Sequence, residues 1–353
     1  MERDSIEELG IANVRRSFNW SSNFLKCMGI WPLKNYLPLF LFFFTYLFIH
    51  CSLTLAHLLL APKTAENILS NLSENIELTM TLTKVAITRL KREALRKLFT
   101  EIKQFSLTEK YETKQEKLTF LNYTKLPLYF LVIIAFSMGL AEVLYYVSRV
   151  VDGFQTAKQN SSIGYKLPYK TLEIMDLKDS RTYALICAYQ ILFVPCVVLG
   201  YVGFDYMFVN LSIQVIAQFA ILSYKVKIIL DNSKNCHDGM KELVLRHYRL
   251  IRLTEELENN FNIPIMQQLM GSTMHICISG YYVLTSSNFG KAIYDYEWYN
   301  LPATEARFFL ICMIRTQKPQ CLTSGKFAIL SLTNFTDILK TSMGYLSVLR
   351  TFV

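Results

Sequence analysis

Thr333, Asp337, Lys340, Gly344 and Ser347 recur at spacings of four and three through the C-terminal stretch FAILSLTNFTDILKTSMGYLSVLR. That period puts them on one face of a helix, while Leu330, Leu332, Phe335, Ile338, Leu346 and Leu349 cover much of the rest. An ionisable side chain at membrane depth costs roughly 2.5 to 3.5 kcal/mol on insertion scales, so such groups face water or pair with one another. Asp337 and Lys340 stand three apart and could pair. Two arrangements satisfy the stripe: an aqueous pore built from several copies, since one helix cannot enclose a channel, or a polar seam inside a helix bundle.

Other chemistry is sparse. His50 and His57 stand seven apart on one helix face and His275 lies in another apolar segment, but none has an acid or second histidine at ligand spacing. No HExxH, GxSxG or phosphate-binding loop occurs, which argues against an enzyme and implies no cofactor and no metal. Cys51, Cys187, Cys196, Cys277 and Cys321 lie in or beside apolar segments without CxxC spacing, and read as reduced core residues.

These residues must be positioned by membrane helices. Of 353 residues 52% are apolar and 14% aromatic, with only 13 glycines and 9 prolines. Spans of about 20 apolar residues cross the hydrocarbon as helices. Tyr36 to Leu60 is the first, and it starts too late and runs too long for a signal peptide. Asn67 to Thr88 mixes apolar residues with Asn, Ser, Thr and Glu, and if it spans it is a polar, inward-facing helix. Lys125 to Ser148, Tyr183 to Leu222, Ile263 to Leu284 and a segment within Phe327 to Leu349 follow. Tyr183 to Leu222 has no break that would make a hairpin, so it reads as one long helix projecting from the bilayer. The fold class is therefore all-α, a polytopic membrane helical bundle.

The net charge of +9 would suggest nucleic acid in a soluble protein, but here the charges cluster in loops and speak to orientation. Ten basic residues from Arg89 to Lys125 form the densest basic loop, which the positive-inside rule puts in the cytoplasm, together with the N-terminus two crossings earlier. The loop from Arg149 to Arg181 is then outside and carries the sequon Asn160-Ser161-Ser162. In KELVLRHYRLIRLTEELENNF, Leu243, Leu250, Leu253 and Leu257 share a face, the pattern of a cytosolic amphipathic helix packed on a partner element. Counting crossings leaves the fifth span ending outside, yet Arg307, Arg315, Lys318 and Lys326 before the last span call for the inside. One crossing is missing between Tyr282 and Tyr294, or one of these spans is not a span.

AIYDYEWYNLP, a following basic helix, then RTQKPQCLTSGKF, SLTNFTDILKTS and GYLSVLRT together resemble the C-terminal signature of insect odorant receptors. The order of spans and the basic loop before the third resemble the same family along essentially the whole chain. The resemblance implies a seven-span protein, unrelated to G-protein-coupled receptors, in the plasma membrane of olfactory sensory neurons. It implies a ligand-gated non-selective cation channel subunit that binds a small volatile odorant and works as a hetero-tetramer with a co-receptor subunit in the lipid bilayer, with no nucleic-acid partner. By the same resemblance, Glu305 to Thr316 is an anchor helix and Phe327 to Leu349 a pore helix, with Thr336, Leu339, Lys340 and Met343 near the constriction. The odorant site falls in the outer half of the bundle, at Leu72, Ile76, Ser137, Ala141, Leu144, Tyr145, Tyr189, Leu192, Phe193 and Cys196.

The expected organisation is a cytoplasmic N-terminus (1–35), the helical bundle with its pocket (36–285), a connection (286–304), and the anchor and pore helices (305–353). Family members carry a further apolar span before the last one, whereas SGYYVLTSSNFGKAIYDYEWY passes almost directly between the two. The expectation is that most of the sixth span is absent, which leaves a truncated or splice form without function as an alternative. A G-protein-coupled receptor fits worse: it would put the basic loop outside, YYVSRVVDG lacks the acid-Arg-aromatic triplet, and the last span lacks Asn-Pro-x-x-Tyr.

Overall fold

In the computed structural model the backbone is described for residues 2–60, 64–109, 111, 113–159, 165–172, 179–232 and 236–295, and beyond these only for 314, 323–324, 328–329, 337, 340 and 344. The chain divides into two units, Met1–Gln267 and Gln268–Val353.

The first unit is a helical bundle. Helix α1 (Glu2–Cys27) buries Val14, Phe18 and Leu25, spaced four and seven apart, on one stripe. Gly10 lets it approach the long helix α5 (Lys114–Gln159): a Cβ there would lie 2.6 Å from a ring carbon of Phe120. α1 ends in a glycine cap. Gly29 takes φ of 70° and donates to Lys26 O at 3.0 Å, while Ile30 donates to Leu25 O at 2.9 Å, which satisfies carbonyls the helix end would orphan.

Helix α2 (Leu37–Leu60) is apolar all round. It buries Leu47, His50 and Thr54 and leaves Phe42, Phe48, Leu59 and Leu60 exposed, as a helix between protein and lipid would. Helix α3 (Ala65–Leu90) starts at Thr64, whose Oγ1 accepts from Asn67 N. Its polar residues turn inward: Asn71, Asn75, Thr81, Lys84 and Thr88 are buried. Helix α4 (Arg92–Thr108) follows, its Phe18–Phe99 contact with α1 edge-on at 4.8 Å between ring centroids.

α5 keeps its course through Pro127 and, at 46 residues, extends roughly 69 Å, well beyond the hydrocarbon thickness. The single helix expected over Tyr183–Leu222 is instead jointed. It runs as α6 (Ser180–Gln190), the short α7 (Phe193–Cys196), a π-helical turn over Val197–Val202, and α8 (Gly203–Asn232). Pro195 supplies the physical cause, since it removes one backbone donor and crowds the carbonyl a turn earlier. Gly200 in the wide turn brings it against α3, where a Cβ would meet Val85 at 3.3 Å and Thr81 at 3.4 Å.

Helix α9 (Cys236–Asp295) contributes to both units. In the first unit, Leu250, Leu253 and Leu257 are buried and Leu243 packs against the same core, so the apolar face read from the sequence is the packed face. Arg249 and Arg252 reach Glu101 of α4, and Arg246 and Lys225 converge on Glu109 at the end of that helix. Burial alone would raise the Glu109 pKa, but the Lys225 ammonium and Arg246 guanidinium outweigh it and hold the carboxyl below the usual carboxylate range.

In the second unit, besides its share of α9, a short antiparallel ladder pairs Thr323 with Ile329 and Ser324 with Ala328. Among the described residues three helical stretches are long and apolar enough to cross a membrane: Leu37–Leu60, Lys114–Lys158 and Ser180–Val226. The class is all-α, with helices forming nearly all of the described structure.

Candidate functional site

Helices α2, α6 and α7 close around an imidazole together with the segment 165–172. His50 of α2 is 1% exposed, and the rings of Tyr46, Tyr169, Tyr189 and Phe193 lie with centroids 5.3 to 6.0 Å from its own. Its Nδ1 has no hydrogen-bond partner among the described residues. An unpaired polar atom in such surroundings costs free energy unless something supplies a partner, so the position favours a group that can donate or accept there.

The segment 165–172 lies across this nest. Leu172 N donates to Leu53 O of α2 at 3.1 Å, which fixes one end. Tyr169, 3% exposed, inserts between the helices, edge-on to Phe193 at 4.7 Å. Gln190, fully buried, brackets Tyr169: its Oε1 accepts from Tyr169 N, and its Nε2 donates to Tyr169 O and to Thr171 Oγ1, all at 3.1 Å. Gly153 of α5 allows the close fit at the far end, since a Cβ there would lie 2.5 Å from Lys166 O and 2.5 Å from the Tyr183 hydroxyl.

Two carboxylates complete the rim. Glu74 of α3 accepts from the Tyr145 hydroxyl at 2.7 Å and from Lys170 N at 3.0 Å. Glu142 of α5 accepts from the Tyr169 hydroxyl at 3.2 Å. Burial and the facing Glu142 carboxylate both raise the Tyr169 pKa, so the phenol stays a donor. Below, Thr54, Asn75 and Asn71 form a hydrogen-bonded chain that ends at the His57 ring, 2.6 Å from Asn71 Nδ2. Among the described residues no group of His, Cys, Asp and Glu is placed to hold a metal ion.

The sequence-derived positions fall in three groups. Tyr189 and Phe193 line the His50 nest, Tyr145 stacks near Tyr169 with centroids 5.8 Å apart, and Cys196 is fully buried in the core. Leu72 and Ile76 are half-buried on α3. Ser137, Ala141, Leu144 and Leu192 are exposed, and the Ser137 hydroxyl bonds its own helix at Ile134 O. Of the pore positions, Thr336, Leu339 and Met343 lie outside the described residues, as does Cys321. Lys340 and Asp337 are helical and exposed, with no ion pair between them among the described residues. Tyr46, Glu74, Glu142, Tyr169 and Gln190 play no part in the sequence reading, and His50 enters it only as a histidine without a metal-ligand partner. The signal for four of them, His50, Glu74, Glu142 and Gln190, was a polar side chain inside an apolar or half-apolar helix.

Fold and site together define a membrane-type helical bundle whose interior combines aromatic rings with hydrogen-bonded polar side chains. The 7tm odorant receptor family matches residues 64–290 and, in a second overlapping stretch, 283–343. The chain belongs to that family, a family of receptors and not of enzymes. Odorant receptor 67a of Drosophila melanogaster is 22% identical over 249 residues, covering 59% of this chain and 60% of that protein. Odorant receptor 13a of the same fly is 23% identical over 250 residues, covering 52% and 57%. The chain thus spans about 60% of the length of these curated relatives. Among solved structures, the olfactory receptor OR5 from Machilis hrabei superposes with a TM-score of 0.63 at 14% identity, covering 96% of this chain and 98% of that one. Its complex with eugenol superposes equally well, with coverage of 97% and 100%.

Proposed function

We propose that this chain is an odorant receptor subunit that binds a small volatile organic molecule in the outer half of the bundle, in the plasma membrane of olfactory sensory neurons. The observation that carries the reading is the His50 nest, with four aromatic rings and one unpaired ring nitrogen beneath a fitted segment. Apolar burial supplies most of the affinity for a volatile, and one or two polar groups orient it. Eugenol bound to the Machilis receptor supports an aromatic alcohol as the first probe.

Within this reading, Leu72, Ile76, Tyr145, Tyr189, Phe193 and Cys196 border the ligand on the protein side. Ser137, Ala141, Leu144 and Leu192 face the side where a sixth span would complete the wall. Binding gates a non-selective cation channel formed with a co-receptor subunit in a hetero-tetramer. Residues 305–316 anchor the subunit and 327–349 line the pore, with Thr336, Leu339, Lys340 and Met343 at its constriction.

A second reading has its own support. The family match falls in two overlapping stretches, and α9 continues as a single helix through Asp295, across the region where a sixth span is expected. On that reading this form lacks most of the span and does not signal. Sequencing transcripts across the codons for Tyr282 to Tyr294 separates the two: an extra exon of about the roughly 20 to 40 residues a span and its flanks require would identify a splice form.

Ligand binding itself is tested with the purified full chain in detergent. A concentration-dependent rise in its thermal midpoint with eugenol, absent with an equally hydrophobic hydrocarbon, is expected. No shift across a broad panel of volatile alcohols, phenols and esters would end the binding proposal.

A further inference from the structure

Away from the odorant region, α1 and α5 border an open cavity of about 490 Å³. The two helices run side by side in the same direction. Glu7 pairs with Lys117 at 2.7 Å, and Gly10 meets Phe120 a turn further on in both. The lining residues follow that register. Asn13, Arg16, Trp20 and Phe24 come from one face of α1; Lys125, Leu128, Tyr129, Leu131, Val132 and Ala135 come from α5.

Polarity changes along the groove. Arg16 and Lys125 stand at the end nearest the basic loop, and no acid lines the cavity. Neither cation makes an ion pair among the described residues. Trp20, 41% exposed, and Tyr129, 62% exposed, occupy the middle. Phe24, Leu131, Val132 and Ala135 form the far, apolar end. From Lys125 to Ala135 the groove descends roughly 15 Å along α5, about half of the hydrocarbon thickness. On the orientation that the charges give, the cationic end faces the cytoplasm.

We infer that this groove holds one anionic phospholipid of the inner leaflet, its phosphate-bearing headgroup between Arg16 and Lys125 and its acyl chains along Val132 and Ala135. Charge complementarity selects the headgroup: two cations that make no ion pair among the described residues attract the net negative charge that an anionic lipid carries and a zwitterionic lipid lacks. The aromatic pair sits where Trp and Tyr belong at a membrane interface. The lipid would fill the open cavity that α1 and α5 border. The inference does not depend on the odorant, so its failure and that of the receptor reading are separable.

Trp20 gives a direct readout. The chain has three tryptophans, so the signal is the difference between the native protein and W20F. The full chain is reconstituted into vesicles of brominated phosphatidylserine diluted in unlabelled phosphatidylcholine, or the reverse labelling. Bromine quenching of the Trp20 component should reach half its maximum at about a thirtyfold lower mole fraction for phosphatidylserine, as two interfacial cations imply. R16Q/K125Q should abolish that preference while leaving the thermal midpoint in neutral detergent unchanged, since neither side chain makes an ion pair among the described residues. Equal quenching by both lipids would overturn the inference, as would a preference that survives R16Q/K125Q. Loss of the preference on adding glycerophosphoserine or inorganic phosphate would also overturn it, by assigning the groove to a soluble anion.

Discussion

Lys84 Nζ of α3 lies 2.7 Å from Asp205 Oδ1 of α8 and 3.3 Å from the centroid of the Tyr201 ring, a charge 1% exposed that ties two helices across the bundle. Tyr201 belongs to the π-helical turn, so the pair also pins the widened part of the fourth apolar run. Removing one partner of a buried pair leaves the other uncompensated. Because Asp205 is 30% exposed, the cost should sit near the lower end of the usual range, about 3 kcal/mol.

The corresponding test is a double-mutant cycle. K84M and D205N should each lower the thermal midpoint of the purified protein, and K84M/D205N should recover most of the loss. A double variant as unstable as the sum of the singles would mean that the pair is incidental.

His50 separates packing from recognition. H50F keeps a ring in the aromatic nest but removes Nδ1, so the half-maximal concentration for a hydroxyl-bearing volatile should rise about tenfold, the value of one hydrogen bond. Responses to a hydrocarbon of the same shape should change little. Equal shifts for both ligands would place His50 in packing alone.

Acid should loosen the contact of α4 with α8 and α9 at Glu109. The Glu109 carboxyl is held below its ordinary pKa by Lys225 and Arg246, so its contribution is fully present above the usual carboxylate value of 4.5 and is lost as pH falls through the lowered folded value. Thermal midpoints of the native protein should drop between neutral and strongly acidic buffer, and E109Q should be less stable at neutral pH with a flatter profile. A native profile that E109Q reproduces in both level and slope would remove Glu109 from the account.

What could be read in advance follows from what is local. The leucine face of α9 is written in a period of three and four and the apolar runs behind α2 and α5 in their length; the structure packs that face and builds helices over those runs. α1 escaped notice because its apolar stripe is narrow and its remaining face polar, so a search for long apolar runs passes over it. The joint in the fourth run was signalled by Pro195, but a proline gives no measure of how the following turn widens. Tyr169 and Gln190 could not be found from spacing at all. Their pairing depends on segment 165–172 reaching back to Leu53, a contact between residues far apart in sequence. The mixed character of α3, awkward as a membrane span, makes sense once its Asn71 and Asn75 side chains bond inward to His57 and Thr54 of α2.

The receptor account is tested most directly by current. The full chain and an insect odorant co-receptor subunit are co-expressed in oocytes, with surface delivery checked by an external tag, and challenged with volatile alcohols, phenols and esters under voltage clamp. The account predicts an inward cation current for at least one ligand, absent with either subunit alone at the same ligand concentration and reduced by H50A without loss of surface protein. Surface-delivered complexes that pass no ligand-evoked current across the panel would contradict it.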